Sequence, residues 1–344
     1  MRIGINFPEE KISKLFDVLD FGDERTLDDI LVEMLNVGIN SSDLLFVALQ
    51  KLEEMGVARG AGGKIILDQP MTNDVKEELR KHLTTFLERN TSKLFVTPLE
   101  VAKYYQCPRR LFLEKVVLSR QEKEREGRTW DGEVIHKSTY LMVKNIMRQD
   151  LVEELPSLIN TVFREYKGRY TITLDEVEEF LITFLDFIRK NKFRFLFPET
   201  TIVSFKMGIM GTPDLIAIDK KRDIVPIDLK LGRMHSKLKE EHVLQNVGEG
   251  LLAESFFRKN IEKCYLVYYS SRDIADIKLS RRLKERFIDY KNQIVRMIRN
   301  GRVPPKSNLP NYTRRVCPGC HVRRVCEHIE QLRKAVNRPR KRRQ

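Results

Sequence analysis

Gly211-Thr212-Pro213-Asp214-Leu215-Ile216-Ala217-Ile218-Asp219 is followed, after Lys220-Lys221-Arg222-Asp223, by Ile224-Val225-Pro226-Ile227-Asp228-Leu229-Lys230-Leu231. Both stretches are short apolar runs bounded by polar residues, the pattern of buried strands joined by a tight turn. Side chains alternate along an extended strand, so Asp228 and Lys230 share one face and Leu229 takes the other. The hairpin then sets Asp214 beside them. Charges placed where a buried sheet should carry aliphatics are expensive unless a cation compensates. Asp214 and Asp228 offer hard oxygens to Mg²⁺ or Mn²⁺, and Lys230 is placed to orient a water or neutralise a developing charge.

Outward from this hairpin, helices are expected near 98–106, 108–117, 132–148 and 174–191, then strands over 200–207, 211–219 and 224–231. A helix over 239–260, a strand over 263–269, an edge strand over 273–279 and a helix over 281–300 complete the body. This order implies an α/β sandwich on a mixed sheet. Thr97-Pro98-Leu99-Glu100 spells a capping box with proline at the first helical position, so the body starts at about residue 97. Before it, helices over 26–37 and 43–55 and a glycine-tipped hairpin at 56–67 form a small α+β head with the element order of a winged helix, over 1–68. A connecting helix over 72–90 lies within the linker 69–96, the body runs over 97–330, and 331–344 is a basic tail containing Arg338-Pro-Arg-Lys-Arg-Arg343.

The 344 residues are 41% hydrophobic and 33% charged, with mean hydropathy −0.40, which excludes a wholly disordered chain. No apolar run reaches the 18 or so residues of a membrane span, and the start lacks the apolar core of a leader. A cytoplasmic protein without a membrane partner is expected. The net charge of +14 is unevenly spread: residues 1–100 carry 12 Lys and Arg against 18 Asp and Glu, net −6, leaving +20 for the remainder. A basic body suits a polyanion such as nucleic acid. The acidic head opposes phosphate contact, and its second helix holds one basic residue, Lys51, so it reads as a module for a protein partner or self-association.

Five cysteines in a reducing compartment point to metal chemistry more than disulfides. Cys317, Cys320 and Cys326 are spaced C-x2-C-x5-C and can grip one centre. Cys107 is a better fourth ligand than Cys264, which sits in an apolar strand. Zinc and an iron–sulfur cluster both remain open, with His321 and His328 as substitutes for a thiol. Cys317-Pro-Gly-Cys320-His321 also fits a haem attachment pattern, which would require export.

Pro213-Asp214 and Asp228-Leu229-Lys230 resemble the PD-(D/E)XK nuclease superfamily, implying a restriction-endonuclease-like mixed sheet flanked by helices. Gly132-Glu-Val-Ile-His136 resembles the helix of its RecB branch that carries a metal-ligating histidine, and Gln245 matches that branch's helical glutamine. Where the branch has tyrosine four residues later, this chain has Glu249. Glu199 is a further candidate acid. With Cys107 and the cysteine triplet, the order resembles the CRISPR-associated RecB-like exonucleases with an iron–sulfur cluster. That resemblance implies a [4Fe–4S] cluster on Cys107, Cys317, Cys320 and Cys326. It also implies Mg²⁺ or Mn²⁺ at His136, Asp214 and Asp228, with Lys230 and Gln245 serving cleavage of single-stranded DNA ends, in CRISPR adaptation or DNA repair. The competing readings are an inactive nuclease-fold adaptor and a winged-helix regulator with a cysteine metal sensor.

Overall fold

A computed structural model describes residues 9–22, 24–90, 93–117, 127–146, 150–306 and 317–336. The basic run at 338–343 lies outside them. The centre is a five-stranded mixed sheet in the order β10-β9-β8-β7-β4. Its strands are β4 (Phe193–Pro198), β7 (Leu215–Asp219), β8 (Ile224–Lys230), β9 (Lys263–Tyr268) and β10 (Ile274–Lys278). β8 and β9 are parallel and the other pairs antiparallel. The parallel pair needs a crossover, supplied by the helix Glu240–Phe257 (α10).

Alternate residues of the central strands enter two separate cores. On one face Leu215, Val225, Ile227 and Leu229 pack with α7 (Gly127–Lys144), α8 (Leu151–Glu165) and α9 (Leu174–Lys190). On the other, Ile216, Ile218 and Leu266 join α10, α5 (Pro98–Gln106) and α11 (Arg281–Asn300). α10 seats closely because it carries glycine at two contacts. A Cβ on Gly248 would stand 2.4 Å from the Phe287 ring, and one on Gly250 2.4 Å from Leu279. The capping box read from sequence is formed, Thr97 with Glu100 opening α5, and a second one, Thr173 with Glu176, opens α9.

Several elements differ from the sequence expectation. The strand expected over 200–207 is reduced to β5 (Ile202–Ser204), which pairs with β6 (Ile209–Gly211) in a separate ribbon. The stretch 211–219 is divided between β6 and β7, because Pro213 brings no N–H to a ladder. The outer strand β4 and helix α8, which holds Pro156, were not anticipated. The expected helix 108–117 is α6 (Pro108–Phe112) followed by a π turn, Leu113–Val117. A 3₁₀ turn at Cys317–Gly319 precedes the last helix, α12 (Arg323–Val336).

The head consists of α1 (Glu9–Leu19), β1 (Glu24–Thr26), α2 (Leu27–Asn36), α3 (Ser42–Glu54), β2 (Ala58–Ala61) and β3 (Lys64–Leu67), with strand order β1-β3-β2. Helix α4 (Asn73–Asn90) leads to the body. The first turn of α3 is buried against that body. Asp43 Oδ2 accepts from the Phe205 and Lys206 N–H groups at 2.7 and 3.2 Å, and Arg258 donates to Oδ1 at 2.7 Å. Arg222 and Lys259 pair with Asp28, and Arg222 also with Asp29. Part of the head's acidic excess is therefore neutralised by basic residues of the same chain, and one apolar core runs from Leu15 through Leu45 to Leu252.

Candidate active site

The antiparallel register pairs Leu215 with Ile227, so Asp214, one residue before β7, falls beside Asp228. Asp214 also fastens the neighbouring strand, its Oδ2 accepting from the Leu229 N–H at 2.6 Å. Its Oδ1 lies 3.2 Å from Nδ1 of His136 on α7. Asp228, 1% exposed, pairs with Lys230 Nζ at 2.7 Å through Oδ2, and its Oδ1 accepts from Gln245 Nε2 at 3.1 Å. Lys230 donates to Gln245 Oε1 at 2.9 Å. Leu229 points into the opposite core. Thus His136, Asp214, Asp228, Lys230 and Gln245 are brought together from α7, the edge of β7, β8 and α10.

Glu249, noted from sequence only as standing where the resembled branch has tyrosine, belongs to the site. It stands one turn after Gln245 on α10, is 3% exposed, and its Oε1 accepts from Gln245 Nε2 at 3.1 Å. Its Oε2 is buried without a hydrogen-bond partner. The tyrosine of the resembled motif is thus replaced by a third inward carboxyl. The available signal was the charge itself, set between two glycines in an otherwise apolar turn. His242 was missed: it precedes Gln245 by one turn, and its Nδ1 lies 3.2 Å from the Tyr268 hydroxyl. Glu199 stays exposed at the rim, its N–H donating to the Asp214 carbonyl.

These neighbours drive the carboxyls apart in acidity. Burial pushes Asp228 up to about 7 against the pull of Lys230, with the Asp214 charge adding to the push. Burial and the charges of Asp228 and Asp214 hold Glu249 well above the ordinary range. Burial also raises Asp214, but His136, Lys230 and the Leu229 N–H outweigh it and leave the group below its usual value. Burial opposes the charge on Lys230, which the surrounding carboxylates nevertheless hold above the usual lysine value. Burial lowers His136, yet Asp214 and Asp228 raise it overall. His242 is lowered to about 4 by burial, reinforced by Lys230.

Among the described residues no group of three or more His, Cys, Asp or Glu is gathered tightly enough to hold a metal ion. The donor chemistry still fits a hard divalent cation: Asp214 and Asp228 are adjacent, and the orphaned Glu249 oxygen lacks a partner that a cation could provide. A cleft of about 240 Å³ opens beside Lys230, His242 and Gln245, with Leu99, Lys103 and Gln106 on its α5 wall.

Below α5, Cys107 caps α6, its Sγ accepting from the Arg110 N–H at 3.4 Å. Burial pushes this thiol up, the nearby thiols of Cys317 and Cys320 adding to the shift. Cys326 Sγ accepts from Arg109 Nε at 3.2 Å. Arg109 is fully buried and also donates to the Pro304 and Cys326 carbonyls and to Glu330. Cys264 is buried in β9, away from this group of donors, and its thiol is held far up by burial. His321 pairs with Glu114 at 3.1 Å.

A mixed sheet with two acids and a lysine at adjacent strand edges defines a nuclease-type catalytic core. Residues 96–327 match the family model of the PD-(D/E)XK nuclease superfamily, and the chain belongs to that superfamily. Its members are generally metal-dependent nucleases that use Mg²⁺ or Mn²⁺. Among solved structures, the one titled "Crystal structure of SSO0001" is similar at 14% identity and a TM-score of 0.24, over 57% of this chain and 86% of that one. No curated protein matches the chain. No helix among the described residues is long and apolar enough to cross a membrane.

Proposed function

We propose that the protein is a metal-dependent deoxyribonuclease that digests single-stranded DNA from an end, in CRISPR adaptation or DNA repair. The observation carrying this reading is the convergence of Asp214, Asp228 and Lys230 on one face, roofed by Gln245 and Glu249. Asp214 and Asp228 would hold Mg²⁺ or Mn²⁺, with His136 at the edge of the set. Such a cation supplies an acidified water and shields phosphate charge. Lys230, anchored by Asp228 and the Gln245 carbonyl, presents a fixed positive charge to the scissile phosphate. Gln245 fixes that arrangement because its carbonyl faces the lysine and its amide faces two carboxyls.

Cys107, Cys317, Cys320 and Cys326 would carry a [4Fe–4S] cluster joining the C-terminal segment to α6. The two ends already meet through Arg109. The head is read as a winged-helix-like docking module, its first α3 turn being occupied by the body.

Labelled single strands incubated with Mn²⁺ test the nuclease reading. Wild type should release nucleotides from an end, whereas Asp228→Ala and Lys230→Ala should each lose at least about 10²-fold of the rate. Equal rates in all three would sink it and favour an inactive adaptor. Anaerobic purification should give brown protein, and stoichiometric zinc without iron would remove the cluster.

A further inference from the structure

Beside the cleft, the end of α5 meets the first half of α11 in an aromatic and cationic corner. The rings of Tyr105 and Tyr290 stand 6.0 Å apart at 60°. The Arg286 guanidinium lies 5.4 Å from the centre of the first ring and 5.6 Å from the second. Tyr104 belongs to the packing between the helices: it lies against the apolar core and donates to Gln293 Oε1 at 3.0 Å. Tyr105 is the outer member, partly buried and followed directly by Gln106, which lines the cleft and donates to Glu241 at 3.2 Å. Gln106, the residue next to Tyr105 on α5, shares the lining of the cleft with Lys230.

The helix that carries Arg286 is basic overall. α11 holds Arg281, Arg282, Lys284, Arg286, Lys291, Arg296 and Arg299 against Glu285 and Asp289, with Arg281 paired to Glu285, Lys284 to Glu254 and Lys291 donating to the Met207 carbonyl. Glu240 pairs with Arg286 and fixes the guanidinium near the two rings. Aromatic faces with arginine beside a basic wall can hold unpaired bases, since every base has a stacking face while a duplex hides it.

We infer that Tyr105, backed by Tyr290 and Arg286, is a base-stacking entry that admits a single nucleic-acid strand to the cleft at Lys230 and disfavours duplex. This rests on the nuclease reading of the cleft and adds a determinant of strand selection. The experiment uses the full chain in EDTA, so that no cleavage occurs, with a single strand bearing 2-aminopurine. Wild type should quench the probe on binding. Tyr105→Ala should abolish the quench and weaken binding about 5- to 100-fold, while Tyr105→Phe keeps both because stacking needs no hydroxyl. Duplex affinity should be unchanged by either substitution, and a strand of abasic sites should bind wild type and Tyr105→Ala alike. An unquenched probe, or equal losses for single strand and duplex, overturns the proposal. Equal results with deoxy and ribo strands place the selectivity in strandedness; a strict ribo preference overturns the DNA assignment but not the stacking. If wild type shows Tyr105-dependent quenching yet never cuts with Mn²⁺, the nuclease reading falls and the surface stands. If it cuts and Tyr105→Ala binds as wild type, the surface falls alone.

Discussion

The carboxyl site and the thiol site flank the same helix pair, α5 and α6, but are built in opposite ways. Asp228 and Lys230 lie within β8, and Gln245 and Glu249 lie within α10, all on regular elements. The thiols hang from a helix cap, a 3₁₀ turn and the first turn of a terminal helix, and three of the four are partly exposed. The sheet ladder fixes the first site whether or not a cation arrives. The second is held by Arg109 and, on the cluster reading proposed above, by the group the thiols would bind. Shape should therefore survive metal removal at the carboxyl site and weaken at the thiol site.

The largest blow to that contrast should come from Arg109→Leu. It leaves Glu330 and two carbonyls without their cation, at about 3–5 kcal/mol, with loss of thiol-bound metal in the same preparation. Urea unfolding with metal analysis checks both. An unchanged midpoint would show that the thiol end does not rely on Arg109. Leu229→Ala should cost about 2–5 kcal/mol by emptying part of the α9-side core, while cleavage per folded molecule at low temperature stays near wild type. A selective loss of rate would mean that the two faces of β8 are coupled.

Asp43→Ala, far from both sites, should cost about 1–3 kcal/mol because two buried N–H groups and Arg258 lose their acceptor. Single-strand affinity and its salt slope should not move if, as the head's net charge of −6 over residues 1–100 implies, the head makes no phosphate contact. A reduced slope would show that the head touches the strand.

The smallest expected effect is a pH slope in metal-free protein. Asp228 is raised in the fold to about 7 from 3.8, so the folded state holds its proton more tightly than the unfolded chain. Its contribution is complete below about pH 4 and fades as pH rises to about 7. Asp214, held low, acts in the opposite sense, losing stability as pH falls below the ordinary carboxylate range. Thermal unfolding in EDTA should show Tm decreasing by a few degrees, on the order of the shift for about 1–2 kcal/mol, from pH 5 to 8. Asp228→Asn should flatten that slope and Mn²⁺ should reverse it. A slope that persists in the variant would assign it to Glu249 or another group.

Alternation made β8 legible from sequence, since the two-residue period alone separates Asp228 and Lys230 from Leu229. The break after Gly211 was not, because apolar residues continue across it and only strand partners distinguish β6 from β7. Helix α8 was hidden by Pro156, which interrupts a helical pattern that tertiary packing nevertheless completes. Strand β4, Phe-Arg-Phe-Leu-Phe-Pro, carried an alternating signal that its position after a long helix obscured. For Glu249, identity could be compared with a motif, but burial could not be read. A carboxyl on a helix is ordinarily solvated, and the two glycines that sink this turn into the protein act through contacts with Phe287 and Leu279, distant in sequence.

The docking of α3 has a consequence for the order in which the chain is made. The head leaves the ribosome before the body, but the residues that cover Asp43 and its apolar surroundings include Phe205 and Arg258. Roughly 200 residues separate α3 from the end of α10, so at about 5–20 residues per second the head waits some 10–40 s with that face uncovered. The α3 face can therefore reach its buried state only when the crossover helix has emerged.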